Sequence, residues 1–251
     1  MGELSGDDRE SLRLKQIFYE PHKVDVQEIK LKRIVDGYMN LVPEIRLHCE
    51  RCLKTKRYGG NVVLMVVDSA FTSIGLNYFR AVVPKVLEFK REFGEIKKLR
   101  DLANANLEEL RKIWKNRRSW NVAIEVAKHL SSLSTDDRIA LRTWAKNSSL
   151  ENWKEDAVGK INGVGLITYQ YLRMMGGIDT VMPDKIVKRV INEILVSAGL
   201  NAVENDFEFI KTVEEIAKIC RYRPIELCWM TWLIQYEEEE RKKYMEMLYE
   251  L

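Results

Sequence analysis

The sequence predicts an all-α protein, and three observations support this prediction. Only 13 glycines and 5 prolines occur among 251 residues, so few positions interrupt a helix. Apolar residues recur at helical spacing, as Leu107, Leu110, Ile113 and Trp114 do. No segment has the strict alternation of apolar and polar residues that indicates a half-buried strand.

Composition limits the class of protein. With 46% hydrophobic and 31% charged residues, the chain can form one large domain or two small ones that share a core. No apolar run approaches the roughly 20 residues that span a membrane, and the N-terminus MGELSGDDRE is too polar for a signal peptide. We therefore expect an intracellular, monomeric protein with reduced thiols and no membrane partner.

Charge is unevenly distributed although the net charge is only +3. Residues 85–118 contain eleven Lys and Arg against six Asp and Glu, whereas residues 236–251 contain three against six. A basic middle and an acidic end fit a polyanion bound on one face. Charge scattered over a solvated surface explains the pattern equally well.

Four cysteines raise the question of a metal. Cys49 and Cys52 form a C-x-x-C pair, and Cys220 and Cys228 could complete a zinc or iron–sulfur site if the two ends meet. However, seven residues separate the second pair, and Cys228 stands in the apolar segment IELCWMTWLI. Free, mostly buried cysteines are the prediction, with no required cofactor.

The first half of the chain divides as follows. Residues 1–25 are polar and predict an N-terminal arm, and helical periodicity begins near Val26. Pro43 opens a second helix, which Gly59-Gly60 ends. The apolar stretch that follows is too long for a strand and predicts two or three buried helices. Amphipathic helices are expected over 101–116 and 117–133.

The second half predicts six more helices. Residues 134–137 can cap a helix that begins at Arg138, and a short helix is expected over 149–160. Another is expected over about 166–175. Asp184 can cap a helix that ends at Gly199, and Pro224 suits the first helical position after a helix over 206–220.

The segment Ile161-Asn162-Gly163-Val164-Gly165 predicts a tight turn between two helices. Its glycines tolerate positive φ and allow another backbone to approach closely. The helix that follows begins with N–H groups that have no intrahelical partner, which makes an anion site. Such a site can bind a DNA phosphate without reading sequence. A simple corner between two helices explains the same two glycines.

The continuation of this segment resembles a known superfamily. The sequence reads I-N-G-V-G-L-I-T-Y and, further on, T-V-M-P-D before a helix. This pattern is similar to that of the helix–hairpin–helix DNA glycosylases, the group of endonuclease III, adenine glycosylase and alkyladenine glycosylase. The resemblance extends over roughly residues 62–235 and is strongest at 159–190.

The resemblance implies two helical lobes with a cleft between them. One lobe would combine residues 26–64 with 178–251, and the other, a six-helix barrel over 65–177, would carry the helix–hairpin–helix motif. Asp184 matches the catalytic aspartate. In the family this carboxylate faces the sugar of a flipped nucleotide and stabilises positive charge as the glycosidic bond breaks. A simple helix N-cap is the alternative role of Asp184.

Ile167 matches the position at which bifunctional members carry a nucleophilic lysine. Because isoleucine cannot form a Schiff base, the resemblance implies a monofunctional enzyme or a loss of activity. Lys160 and Lys185 are nearby amines, but neither stands at the family position, and we expect them to face phosphate or solvent. The family's iron–sulfur cysteines are not matched.

The hairpin carries further implied roles. Backbone N–H groups near Gly163, Gly165 and Ile167 would face a phosphate. The carbonyls of Gly159, Ile161 and Val164 would hold a monovalent cation. Asn162 replaces the usual proline, and Tyr169 replaces the usual alanine.

The remaining DNA contacts rest on weaker patterns. Phe71, Tyr78, Tyr169 and Trp229 are candidates to stack on a base, although each suits a core position as well. Arg117 and Arg118, at the start of a helix, are candidates to contact the DNA backbone. Ala70 stands where the family often inserts Gln or Asn, and Asn77 follows further on.

These patterns lead to one expected function and two alternatives. The first is a monofunctional base-excision glycosylase that acts through Asp184 on double-stranded DNA with a damaged or mispaired base. The second is a non-catalytic helix–hairpin–helix DNA-binding protein. The third is a helical protein-interaction scaffold in which the two glycines only form a corner.

Overall fold

A computed structural model describes residues 21–72 and 74–251 of the chain. Within these residues it contains thirteen α-helices and no strand, which confirms the predicted all-α class. No helix in this part of the chain is both long enough and apolar enough to cross a lipid bilayer. Of the expected N-terminal arm, residues 1–20 lie outside the description. Residues 21–25 belong to the first helix, so helical structure begins earlier than the expected start near Val26.

The first half of the described chain forms seven α-helices. The bounds are α1 Pro21–Met39, α2 Ile45–Leu53, α3 Val62–Thr72, α4 Val83–Glu92, α5 Leu99–Ala103, α6 Leu107–Leu110 and α7 Arg117–Leu133. A 3-10 turn, Arg57–Gly60, precedes α3, and a short π-helix, Tyr78–Val82, precedes α4. The apolar stretch after residue 61 therefore folds into buried helices, as predicted.

Six α-helices follow in the second half. They are α8 Asp137–Asn147, α9 Leu166–Met175, α10 Lys185–Ala198, α11 Asp206–Cys220, α12 Pro224–Leu233 and α13 Glu238–Glu250. Local signals in the sequence explain most of their ends. Asp136 caps α8, Gly199 ends α10 at a φ of 84°, and Pro224 begins α12, each as predicted.

Three helix predictions are wrong. The helix expected to end at Gly59-Gly60 is α2, which ends at Leu53, before the separate 3-10 turn. Residues 101–116 do not form one helix, because Asn106 accepts hydrogen bonds from Glu108 N and Glu109 N and starts the separate helix α6. Residues 149–160 form successive turns instead of a helix. There Asp156 Oδ1 accepts from Val158 N at 2.8 Å and from Trp144 Nε1 at 3.0 Å. These bonds compete with helical ones.

The buried apolar side chains of the described helices form one contiguous cluster. Helix α3 lies at its centre, where ten of its eleven residues are buried. It packs against α7 on one side and α9 on another. Because this cluster extends from α1 to α13, the boundaries of the two expected lobes stay a prediction.

Candidate active site around Asp184

Asp184 is the N-cap of α10, and its carboxylate accepts three hydrogen bonds. Oδ1 accepts from Ile186 N at 2.7 Å and from Val187 N at 2.9 Å. Oδ2 accepts from the indole Nε1 of Trp232 at 2.7 Å. Burial raises the pKa of the carboxyl above its ordinary value, while the three donors oppose that rise. The capping role predicted as an alternative is therefore present.

A cavity of about 510 Å³ opens in front of Asp184. One wall is the loop between α3 and the π-helix, with Ile74, Leu76 and Asn77. The opposite walls come from α9, from the start of α10 and from the end of α12. They contribute Ile167, Lys185, Ile186, Trp232, Gln235 and Tyr236. The cavity is therefore lined by aliphatic and aromatic surface with one carboxylate, a composition typical of a binding pocket.

The structure brings Ile167 and Asp184 together. Asp184 stands seventeen positions after Ile167 in the sequence, and both residues line the same cavity. Ile167 belongs to the first turn of α9, whose N-cap Gly165 has no side chain to bind the free N–H groups. The start of α9 and the carboxylate of Asp184 therefore contribute to the same cavity.

The two glycines of the turn play different roles. Gly163 has a φ of +105°, and a Cβ placed there would lie 2.8 Å from Val122 Cγ2 and 3.1 Å from Arg118 Cγ. Gly163 is thus pressed against α7. A Cβ on Gly165 would meet nothing within 4 Å, so its outer face is open to a ligand. The first arm of the expected helix–hairpin–helix is irregular, because residues 149–160 form turns.

The basic residues selected from the sequence are exposed. Arg117 and Arg118 begin α7 at the side of the turn, where Arg118 contacts Gly163. Lys185 lies at the cavity. Lys160 is paired with Glu155 at 3.2 Å, which reduces the positive charge that it can offer a phosphate.

Of the four aromatic candidates, Tyr78 lines the cavity and the other three do not. Phe71, Tyr169 and Trp229 are completely buried. Phe71 stacks on Trp114 with ring centroids 4.3 Å apart. The aromatic surfaces that do line the cavity with Tyr78 are Trp232, Tyr236 and Phe79. Trp232 and Tyr236 reach it because α12 ends there, whereas Phe79 belongs to the π-helix.

A buried ion pair contacts the cavity residue Tyr78 from the core side, and no pattern in the sequence predicted it. Arg57 Nη1 lies 3.1 Å from Asp68 Oδ2, and neither side chain reaches solvent. The same carboxylate oxygen accepts from the hydroxyls of Tyr58, Tyr78 and Tyr171 at 2.8, 2.9 and 3.0 Å. Burial raises the pKa of all three tyrosines, so they stay protonated donors.

The cysteines confirm the prediction of free, buried thiols. All four are buried, and none is in a disulfide. Burial raises the pKa of Cys220 to about 11 and that of Cys52 to about 12. Among the described residues, no group of three or more His, Cys, Asp and Glu side chains is arranged to hold a metal ion.

The three carbonyls expected to hold a monovalent cation are chemically suitable, since hard cations prefer oxygen ligands. Ile161 O already accepts from Val164 N at 2.9 Å, which leaves it one free lone pair. The backbone at Gly159 is tightly packed, because a Cβ there would lie 1.7 Å from Trp153 O.

Another cavity, of about 550 Å³, lies between α2 and α13. His48, Arg51, Arg241 and Met245 are among its lining residues. None of the candidate catalytic or DNA-binding residues lines this cavity. The chemistry expected from the sequence therefore concerns the cavity at Asp184.

Comparison with known proteins identifies a family without a known activity. A family model described as a domain of unknown function, DUF8548, matches residues 40–236. The chain belongs to the DUF8548 family. The matched range contains the turn at Gly163, Asp184 and the end of α12, and so it includes the walls of the cavity at Asp184. No curated protein and no solved structure matches the chain.

Proposed function

We propose that this DUF8548 protein is a monofunctional DNA N-glycosylase that hydrolyses the N-glycosidic bond of a damaged or mispaired nucleotide. One observation carries the proposal: Asp184 and Ile167 line the same cavity of about 510 Å³. In the glycosylases that the sequence resembles, the matching positions hold the catalytic aspartate and, in bifunctional members, the lysine. Two positions chosen from the sequence alone thus meet at one cavity.

The chemistry proposed for Asp184 follows from its charge. As the bond from C1′ to the base nitrogen breaks, the bond electrons leave with the base and positive charge develops on the sugar. An ionised carboxylate beside the sugar stabilises that charge. Water then adds its oxygen to C1′, and one of its protons is transferred to Asp184 and finally to the departing base. Because Ile167 has no amine, the abasic sugar is released intact.

The target nucleotide has to leave the duplex to reach Asp184, because C1′ is inaccessible inside the base stack. The rings of Trp232 and Tyr236 offer surfaces on which the flipped base can stack. Such a pocket selects a base by shape and by the ease with which it leaves the stack.

In this proposal, DNA is bound by the turn at Gly163 and Gly165 and by the basic residues around it. The N–H groups at the start of α9 and the exposed Arg117, Arg118 and Lys185 can all bind phosphate. A monovalent cation on the carbonyls of residues 159, 161 and 164 would add positive charge next to the same phosphate. These contacts would hold the strand without reading its sequence.

The test is base release from a panel of duplexes. They contain uracil, thymine mismatches, hypoxanthine, 8-oxoguanine and alkylated purines, and salt and temperature are varied. We expect at least one to lose its base. Asp184→Asn should abolish release and keep binding, because asparagine caps a helix as well as aspartate does. If no duplex loses its base, the enzymatic proposal is wrong.

Asp136→Asn is the matched control. Asp136 caps α8 through bonds to Arg138 N and Ile139 N, which is the same geometry as the cap by Asp184. It does not line the cavity. Base release by Asp136→Asn should therefore equal that of the wild type.

A non-catalytic DNA-binding protein is the second candidate, and one observation favours it. Both carboxylate oxygens of Asp184 are already hydrogen-bonded within the fold, as a purely structural cap would be. This candidate predicts duplex binding that weakens steeply with salt, and no release of any base.

A further inference from the structure

The two oxygens of the Asp184 carboxylate are held by different elements. Oδ1 is bound by the backbone of its own helix, α10. Oδ2 is bound by the indole N–H of Trp232, in the last turn of α12. The backbone bonds hold one oxygen only. The indole of Trp232 is therefore the donor that binds the oxygen left free by the backbone.

We infer that Trp232 is a positioning residue, which holds Oδ2 of Asp184 at the cavity through the hydrogen bond from its indole N–H. Its importance for catalysis rests on the proposed glycosylase function. Its effect on the charge of Asp184 does not depend on that function. Trp232 also lines the cavity, so it combines this role with a stacking surface.

Aromatic packing prevents the indole of Trp232 from turning away. Its ring lies 4.8 Å from that of Tyr78 and 5.4 Å from that of Trp229, measured between centroids. Tyr78 is fixed in turn, because its hydroxyl accepts from Arg57 Nη2 at 2.7 Å and donates to Asp68 Oδ2 at 2.9 Å. A chain of contacts thus leads from the buried ion pair to the carboxylate of Asp184.

Neutral donors, more than positive charges, stabilise the ionised form of Asp184. Its titratable neighbours are Cys228 and Tyr236 from α12 and the chain just after it, Tyr78 from the π-helix, and the exposed Lys185. Burial raises the pKa of Cys228, Tyr78 and Tyr236, so these three are neutral at pH 7. Burial also raises the pKa of Asp184, and the bonds from Val187 N, Trp232 and Ile186 N lower it.

The variant Trp232→Phe tests the inference, because phenylalanine keeps an aromatic ring and removes the N–H group. The pKa of Asp184 is followed through the ¹³Cγ chemical shift in protein labelled at aspartate, and Asp184→Asn assigns the signal. Since a hydrogen bond to a charged group contributes about 1.5–3 kcal/mol, the pKa should rise by about 1 to 2 in Trp232→Phe.

Trp229→Phe is the matched control. Trp229 lies on the same helix and is fully buried, and its indole Nε1 has no hydrogen-bond partner. This variant removes an indole N–H that does not reach Asp184. The pKa of Asp184 should therefore stay at the wild-type value. An unchanged pKa in Trp232→Phe, or an equal rise in Trp229→Phe, overturns the inference whatever the activity.

Base release separates the inference from the proposed function. On a duplex from which the wild type releases a base, Trp232→Phe should lower kcat about 10- to 100-fold. The acid limb of the pH profile of kcat should shift together with the pKa of Asp184. The affinity for the duplex should stay within about twofold of the wild-type value. If the pKa rises as expected but the wild type releases no base, the glycosylase proposal fails and the effect of Trp232 on Asp184 stands.

A measurement on the wild type covers the case in which Trp232→Phe does not fold. The ¹⁵N–¹H resonance of the Trp232 indole should titrate with Asp184 in the wild type and should be independent of pH in Asp184→Asn. A resonance that does not respond to pH in the wild type contradicts the inference.

Discussion

Arg57 and Asp68 form an ion pair of 3.1 Å in which both side chains are fully buried. They come from the 3-10 turn and from α3, and the three surrounding tyrosines bind the same carboxylate oxygen. An ion pair of this kind is costly to break, because removing one partner leaves a buried charge without compensation.

Asp68→Asn should therefore destabilise the protein by about 3–5 kcal/mol, since the guanidinium of Arg57 stays buried and charged. Urea denaturation followed by circular dichroism measures the change in the free energy of unfolding. Glu50→Gln breaks the exposed pair with Lys54 and is the control, with no measurable change expected. A similar loss in both variants would contradict the role assigned to the buried pair.

The two glycines of the turn should respond differently to alanine. Gly163→Ala forces a side chain into a positive φ and against Val122 and Arg118, and it should cost about 1–3 kcal/mol in the free energy of unfolding. Gly165→Ala meets open space, so stability should change little. Because Gly165 is the N-cap of α9, the added methyl group should weaken duplex binding if the first N–H groups of α9 bind a phosphate. Denaturation and duplex-binding titrations of both variants check this separation. Equal effects on stability would contradict it.

The difference between these glycines illustrates what the sequence could predict. The G-x-G spacing predicted a tight turn, and the caps at Asp184, Gly199 and Pro224 were predicted correctly because capping depends on a few neighbouring residues. The turns at 149–160 were missed, since the bond from Trp144 to Asp156 that stabilises them joins separate segments.

The site was less predictable than the helices. Asp184, Ile167 and Tyr78 were selected from the sequence and line the cavity, while Phe71, Tyr169 and Trp229 are packed in the core. An aromatic residue on an apolar helix gives no local sign of whether it faces a core or a cavity. Trp232 was missed for this reason, because only the packing of α12 against the start of α10 brings its indole to Asp184.

The pH dependence of stability offers a test of the burial of Asp184. Its pKa in the folded protein is raised above the ordinary 3.8. At pH values between the ordinary pKa of 3.8 and the raised pKa of the folded protein, the folded state holds a proton that the unfolded chain has released. The stability of the wild type therefore falls as pH rises through that interval. Asp184→Asn lacks this titration. Its stability relative to the wild type should rise as pH increases through the interval and stay constant above the folded pKa.

Asp136→Asn is the control with the opposite sign. Bonds from Ile139 N and Arg138 N lower the pKa of Asp136, so its ionised form adds stability above 3.8 that is lost as pH falls through the folded pKa. The stability of this variant relative to the wild type should therefore fall as pH rises. Urea denaturation at a series of pH values measures both trends. If the relative stabilities of Asp184→Asn and Asp136→Asn changed in the same direction with pH, the directions given for the pKa values of Asp184 and Asp136 would be contradicted.

Arg118 should contribute one phosphate contact. Arg118→Ala is expected to weaken duplex binding uniformly across sequences and to make the dependence of log Kobs on log salt concentration less steep by about 1. Lys242→Ala is the control, because Lys242 lies on α13 and is paired with Glu238. Fluorescence anisotropy from low to moderate salt measures both slopes. An unchanged slope for Arg118→Ala would remove this residue from the proposed interface.

Ile167→Lys tests whether the cavity is arranged for chemistry on a sugar. Ile167 lines the cavity with Asp184, so a lysine there places its amine near a sugar bound at that carboxylate. That amine can attack C1′ of an abasic site and form a Schiff base, which borohydride reduces to a stable covalent adduct. We expect trapping of abasic duplex by Ile167→Lys and none by the wild type or by Ile167→Gln.

Since Lys185 also lines the cavity, trapping by the wild type would mean that the native amine already reaches the sugar. Absence of an adduct with a folded, DNA-binding Ile167→Lys protein would mean that no sugar lies between Ile167 and Asp184, and the glycosylase proposal would then lose the geometry on which it depends.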